Sequence, residues 1–370
     1  MSASTKGRAS KPSEKKIRKK SPGGLRKRLI LENHEIVVLG ILYVGVLLVA
    51  HYLSMVWAAA AAVAALLVSW KSLFRLLREL LWEQWIKIDR DARGDQGSSR
   101  AFDWKPIIIL GMATLVLTGN HYYGHRNHFR YFAAKIMAKK EDARFLRGAN
   151  LKNSSNHSGV QRVYRKRVRD RLGKWWLLGE FGYWTLWRVL GFFILPALLI
   201  FALPKEKLGE YGLKLGNTKD ALLLSGILFA FMFAAVFMVS YKPAFRYHYP
   251  FPWASSAPPG GVPGSLLATW WLMYAVQFIA LEFFFRGFLL HGLKKSMGAY
   301  SIFAMVVPYA MIHFGKPVTE TLGAFAAGLV LGTMALSTRS IWCGVMIHIA
   351  IAWSMDFLAI FQKGILPSGW

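Results

Sequence analysis

IVVLGILYVGVLLVAHYLSMVWAAAAAVAALLVS, residues 36–69, runs for 34 residues without one Asp, Glu, Lys or Arg. A helix at the surface of a soluble domain needs a polar face, and this stretch offers none. As one straight helix it would be about 50 Å long at ~1.5 Å per residue. The hydrocarbon core of a bilayer is only ~30 Å thick. The stretch therefore reads as a tight hairpin of two short spans turning near His51–Met55, or as one span with a long extension. Both readings put the chain in a membrane.

The rest of the 370 residues agrees. The chain is 54% hydrophobic and 15% aromatic, and only 18% of it is charged, where a soluble domain is about a quarter charged. Further apolar segments follow at Phe181–Leu203, Ala221–Tyr241, Ser265–Leu293, Ala299–His313, Thr321–Leu336 and Ile341–Gln362, with a shorter one at Pro106–Tyr123. Trp and Tyr gather at their ends, as expected at a membrane–water boundary. The fold class is all-α: a polytopic transmembrane helix bundle of about eight or nine spans. One cysteine, Cys343, excludes a disulfide framework.

Charge is distributed very unevenly. The chain carries 47 Lys and Arg against 19 Asp and Glu. Residues 1–28 hold eleven basic residues and one Glu, and residues 124–174 hold fifteen basic residues and three acids. The basic residues are not spread over a soluble fold, so no nucleic-acid partner is expected. Residues 1–30 read as a disordered basic tail, attracted to anionic lipids at roughly 1 kcal/mol per basic residue near the surface or acting only as a topology signal. The excess places the tail, and hence the N-terminus, in the cytoplasm, together with the 124–174 loop. That requires an even number of crossings between them, so either 36–69 crosses once or 106–123 does not cross. Residues 71–91 place Leu73, Leu76, Leu77, Leu80, Leu81 and Trp85 on one stripe, the pattern of an interfacial amphipathic helix. The organisation is thus a tail (1–30), an N-terminal membrane and basic-loop region (31–180) and a C-terminal transmembrane domain (181–362), with SSAPPGGVPG (255–264) as a linker.

Ionisable side chains inside spans are costly and are functional candidates by default. Glu282 and Arg286 stand four apart in LEFFFRGFLLHGL, His313 ends the next span, and His348 lies inside the last, with Asp356 eight residues on. Three spans thus direct an acid, a guanidinium and two imidazoles inward. The set suits hydrolysis: a carboxylate or imidazole can take a proton from water, and a second imidazole can stabilise an oxyanion.

The order of these groups resembles the CPBP family (CAAX proteases and bacteriocin-processing enzymes), which are integral membrane endopeptidases. Their pattern is Glu-Glu-x-x-x-Arg, then Phe-x-x-x-His, then His-x-x-x-Asn or Asp, on successive transmembrane helices. Glu282, Arg286 and the following Gly287 match the first element. His313, with Tyr309 at the Phe place, matches the second, and His348 the third. The resemblance spans roughly residues 180–362 and is carried from 265 onward. It implies a bundle of about eight helices with the site buried below one membrane face, cleaving a peptide bond of a membrane protein or lipidated peptide without a cofactor. Glu282 would be the base for water, assisted by His313; His348 would stabilise the oxyanion; Arg286 would orient Glu282 or a substrate carboxylate. Two positions depart from the pattern: Leu281 stands at the first Glu and Ala352 at the Asn or Asp. Alternatives are a Zn²⁺ site of Glu282, His313 and His348, a catalytically degenerate relative acting as a membrane scaffold or binding protein, and a transporter with a buried proton relay.

Other residues read as structural. Glu320, in the first turn after Pro317, complements a helix dipole. Cys343 and the stripe Ala324, Gly328 and Gly332 are packing positions. His121, His125 and His128 read as an interfacial basic segment, and the triplets at Asn153 and Asn156 as chance.

Overall fold

The structure, a computed structural model, describes residues 33–52, 55–94, 103–130, 166, 170, 174–215, 218–253 and 261–365. The basic tail, most of the 124–174 loop with Asn153 and Asn156, and most of the 255–264 linker lie outside the described residues. Helix α1 (Asn33–Tyr52) ends where the apolar run was expected to turn, and α2 (Met55–Leu77) packs back against it. The 36–69 stretch is therefore a hairpin. Helix α2 continues through a π-helical turn (Arg78–Trp82) into α3 (Glu83–Gly94). The amphipathic stripe does not simply face lipid at this end. Trp85 Nε1 donates to Thr333 Oγ1 at 2.9 Å, and Ile88 and Ala92 are buried.

Next come α4 (Lys105–Tyr122), α5 (Lys174–Val189), a π turn (Leu190–Ile194) and α6 (Leu195–Ala202). They are followed by α7 (Thr218–Ser240) and the short α8 (Pro243–His248). The C-terminal part comprises α9 (Gly264–Glu282), a π segment (Phe283–His291), α10 (Gly292–Met297), α11 (Tyr300–Met311), α12 (Val318–Thr338) and α13 (Trp342–Gln362). Among the described residues every regular element is a helix.

Among the described residues, five helical stretches are long and apolar enough to cross a membrane: Trp176–Ala202, Leu222–Ser240, Gly264–Met297, Val318–Thr338 and Trp342–Gln362. Val37–Val49, Ala60–Lys71 and Tyr300–Met311 are shorter apolar helices. Helix α4 falls in neither class. Lys105 at its start and Asn120 and His121 at its end cut its apolar run short. The described residues are all-helical and are those of an integral membrane protein, with five helices of full spanning length and three shorter apolar ones among them.

The stretch from α9 to α10 is the centre of the bundle. Phe283 to Leu290 are all buried, ringed by Phe192, Ile302, Met305, Tyr309 and Leu336. A stretch apolar on all sides but that of Arg286 has to be covered from every side. Helices α11 and α12 approach closely over the small-residue stripe. A Cβ on Gly328 would lie 2.9 Å from Val306 Cγ2, and one on Gly332 would lie 2.9 Å from Met305 Cε. The stripe is a packing surface, as its spacing indicated.

Candidate active site

Glu282 is the last residue of α9, and the helix widens into its π segment immediately afterwards. A π turn replaces i→i+4 bonds with i→i+5 bonds and is rare. Here it spans nine residues, Phe283–His291, and the His291 ring follows the same spacing, Nδ1–H donating to the Arg286 carbonyl at 2.6 Å. The widening alters the phase of everything after Glu282. Arg286 nonetheless still reaches back, Nη1 donating to Glu282 Oε1 at 2.9 Å, and both side chains are fully buried. Such a pair is stable only as a pair, because removing one partner leaves an uncompensated charge.

Helix α13 supplies the next group. His348 Nδ1 stands 2.7 Å from Glu282 Oε1. The approach is close, but its angle is not that of an aligned hydrogen bond. A carboxylate oxygen can only accept, so the imidazole presents its N–H on the Nδ1 side. The His348 side chain is 18% exposed while Glu282 is 0% exposed, so His348 is the member of the pair that reaches water. Room for this meeting comes from Gly344, one turn before His348 on the same face. A Cβ there would run into Glu282 Oε2.

Helix α11 closes the cluster. Tyr309 Oη lies 2.8 Å from His348 Nε2, and the Arg286 guanidinium sits 4.0 Å from the centre of the Tyr309 ring. Phe278 stacks on the other side of the His348 ring, with centroids 5.2 Å apart. His313 follows α11 in the turn, half-buried. Its Nδ1–H donates to the Tyr309 carbonyl at 2.9 Å, which fixes the neutral tautomer with the lone pair on Nε2. Glu282, Arg286 and His348 are thus in direct contact, whereas His313 joins them at one remove, across the Tyr309 ring. No group of three or more His, Cys, Asp or Glu among the described residues is placed to hold a metal ion.

The remaining candidates sit elsewhere. Asp356 is buried, accepting from Trp270 Nε1 at 2.7 Å and from the Phe251 backbone N–H at 3.0 Å. Those bonds tie α9, the loop before it and the end of α13 together, apart from Glu282. Glu320 lies in the first turn of α12, taking bonds from Lys316 Nζ (2.5 Å) and Tyr249 Oη (3.2 Å). Cys343 packs among Leu331, Met334 and Ile347. Burial, then the Arg126 and Arg130 charges beside it, push the His125 imidazole below its usual range, in keeping with a basic segment. Of the two positions that depart from the CPBP pattern, Leu281 is buried in the main apolar core and Ala352 is buried in the cluster with Phe181 and Trp270.

The roles of two contributors escaped sequence reasoning. Tyr309 was noted only as standing at the Phe place of the pattern one turn before His313, and Gly344 was visible only as the residue one turn before His348. Spacing marks them as sharing those faces but says nothing of a hydroxyl on Nε2 or a carboxylate over a glycine.

Residues 263–354 match the family described as Type II CAAX prenyl endopeptidase Rce1-like. No curated protein and no solved structure matches the chain. The matched segment contains Glu282, Arg286, Tyr309, His313 and His348, and over it the chain is similar to a family of CAAX-type membrane proteases.

Proposed function

We propose that the chain is an intramembrane endopeptidase that hydrolyses a peptide bond of a membrane-associated protein or lipidated peptide. The observation that carries this reading is the meeting of Glu282 and His348, 2.7 Å apart inside the bundle, within the segment that matches a peptidase family. Glu282 takes a proton from water, assisted by the free Nε2 of His313. The hydroxide attacks the peptide carbonyl carbon, and the Nδ1–H of His348, released from Glu282 once that carboxylate is protonated, donates to the resulting oxyanion. The C–N bond then breaks as the proton passes from Glu282 to the leaving amine. Arg286 holds Glu282 in place. The prenyl endopeptidase description of the family supports a lipid-anchored tail as substrate.

The test is cleavage of a panel of prenylated, leader-type and transmembrane peptides by purified protein. Glu282→Gln, His313→Ala and His348→Ala are each expected to abolish turnover without altering membrane insertion. A wild type inactive on every class favours the second reading, a degenerate relative acting as a scaffold, which Leu281 and Ala352 support. Zinc dependence is tested separately by chelator titration; full activity in chelator is expected.

The basic tail and the 124–174 loop face the cytoplasm in this reading. A cysteine at Ser155, in a Cys343→Ala background, should resist impermeant reagent added outside intact cells. Ready labelling there would reverse the orientation.

A further inference from the structure

The Tyr309 hydroxyl is placed where no apolar side chain could serve. It lies 2.8 Å from His348 Nε2, with Arg286 stacked on its ring and the His313 ring edge-on to it, centroids 5.0 Å apart. The ring is confined on a further side, because a Cβ on Gly328 would stand 3.2 Å from its Cδ1. On α13 itself, the position one turn after His348 on the same face is Ala352, which offers no hydrogen bond. We infer that Tyr309 is a positioning residue for His348: its hydroxyl donates to Nε2 and so holds the imidazole in the tautomer that carries its proton on Nδ1, towards Glu282. The inference rests on the site proposed above and adds a fifth polar member to it.

The chemistry follows from the inventory of donors and acceptors. Glu282 can only accept, so the proton of a neutral His348 belongs on Nδ1. Nε2 is then a lone pair, and the Tyr309 O–H is the donor that meets it. If the ring inverted its tautomer, two lone pairs would face each other across 2.7 Å at Glu282. A hydroxyl on the far nitrogen disfavours that state, much as the hydrogen bond made by one ring nitrogen sets the state of the other. Phe278, stacked on His348, restrains the ring plane but cannot choose between tautomers.

Tyr309→Phe removes the hydroxyl and leaves the ring under Arg286. Two readouts test it on the full-length protein in detergent. The first is the pair of His348 ring nitrogen resonances in ¹⁵N-histidine-labelled protein, assigned by their loss in His348→Gln. In the wild type they are expected at the positions of a neutral Nδ1–H tautomer, and in Tyr309→Phe they should move towards tautomer exchange. The second is peptide cleavage, where kcat should fall roughly five- to tenfold, the scale of one neutral hydrogen bond, with KM unchanged. Unmoved His348 resonances in Tyr309→Phe overturn the inference, as does a wild type with the proton on Nε2. A rise in KM at constant kcat would assign Tyr309 to substrate binding and overturn it too. If the wild type cleaves nothing, the enzyme reading fails by itself, and the resonances still decide the role of Tyr309.

Discussion

Glu282 Oε1 is held between two partners, Arg286 Nη1 at 2.9 Å and His348 Nδ1 at 2.7 Å, the first one turn along its own helix and the second on α13. One carboxylate oxygen therefore fastens the central helix to the last one. Structure and chemistry share this atom, and substitutions can separate them.

Glu282→Gln keeps an amide oxygen for Arg286 but cannot carry the proton. Activity should fall by about 10²–10⁴-fold, the usual contribution of a positioned acid–base group, and the melting temperature should fall as well, because the amide is neutral and leaves the Arg286 charge uncompensated. Glu282→Leu strips Arg286 of its hydrogen-bond acceptor too. Leaving a buried charge uncompensated costs about 3–5 kcal/mol, so this variant should lose both cleavage and still more thermal stability. Melting temperatures of both variants equal to that of the wild type would contradict a buried ion pair.

Leu281→Glu restores the residue type of the family pattern at its first position, but the surroundings here are apolar. Leu281 is 6% exposed and packs in the main core. A second carboxylate there would be buried without a cation of its own. The variant should be less stable than wild type and no more active. A gain in turnover, read in the same cleavage assay, would show that Glu282 is not the operative base.

Much of this arrangement was legible before any coordinates. Residues 36–69 lack charge, and a chain of that length has to turn to stay within a bilayer, so the hairpin was one of two readings. Glu282 and Arg286 at i,i+4 read correctly as neighbours. What could not be read was the phase beyond Glu282. A 3.6-residue period assumes an α-helix, and the π segment at Phe283–His291 breaks that assumption without a proline or glycine pair to announce it. The exclusion of α4 from the apolar spans is a matter of degree, set by a few polar residues at its ends. Contacts between distant segments, such as Trp85 with Thr333 or Asp356 with Trp270, leave no periodic trace, because each depends on how whole helices pack.

Outside the apolar spans, Glu206 gives the fold a dependence on pH. It accepts from Lys105 Nζ at 2.6 Å and from Tyr211 Oη at 2.8 Å, joining the start of α4 to the turn after α6. Burial pushes its carboxyl up, but the bonds from Lys105 and Tyr211, with the charges of Lys105 and Lys295, outweigh burial and hold it below the usual carboxylate range. A depressed folded value means that the stabilisation is fully present above the unfolded value, about 4.3. It is lost as pH falls through the folded one. The wild-type melting temperature in detergent should therefore drop as pH falls below about 4, and Glu206→Gln should flatten that part of the profile while lowering stability at neutral pH. Superimposable profiles would remove Glu206 from the account.

Gly344 tests the site without touching any ionisable group. It packs under Glu282, and an added Cβ would collide with Oε2. Either Glu282 moves away from His348 or α13 moves away from α9. Overpacking of this kind costs about 1–3 kcal/mol, and a displacement of around 1 Å in a positioned group can cost about a hundredfold in rate. Gly344→Ala should therefore insert normally, melt somewhat lower and lose most of its activity, with kcat affected more than KM. Gly226→Ala is the control, since nothing lies within 4 Å of a Cβ at that position on α7. Alanine there should stabilise the helix slightly, by roughly 0.5–1 kcal/mol, and leave cleavage unchanged. Full activity in Gly344→Ala would mean that the contact between Glu282 and His348 is not required for turnover, and the proposed base would have to be sought elsewhere.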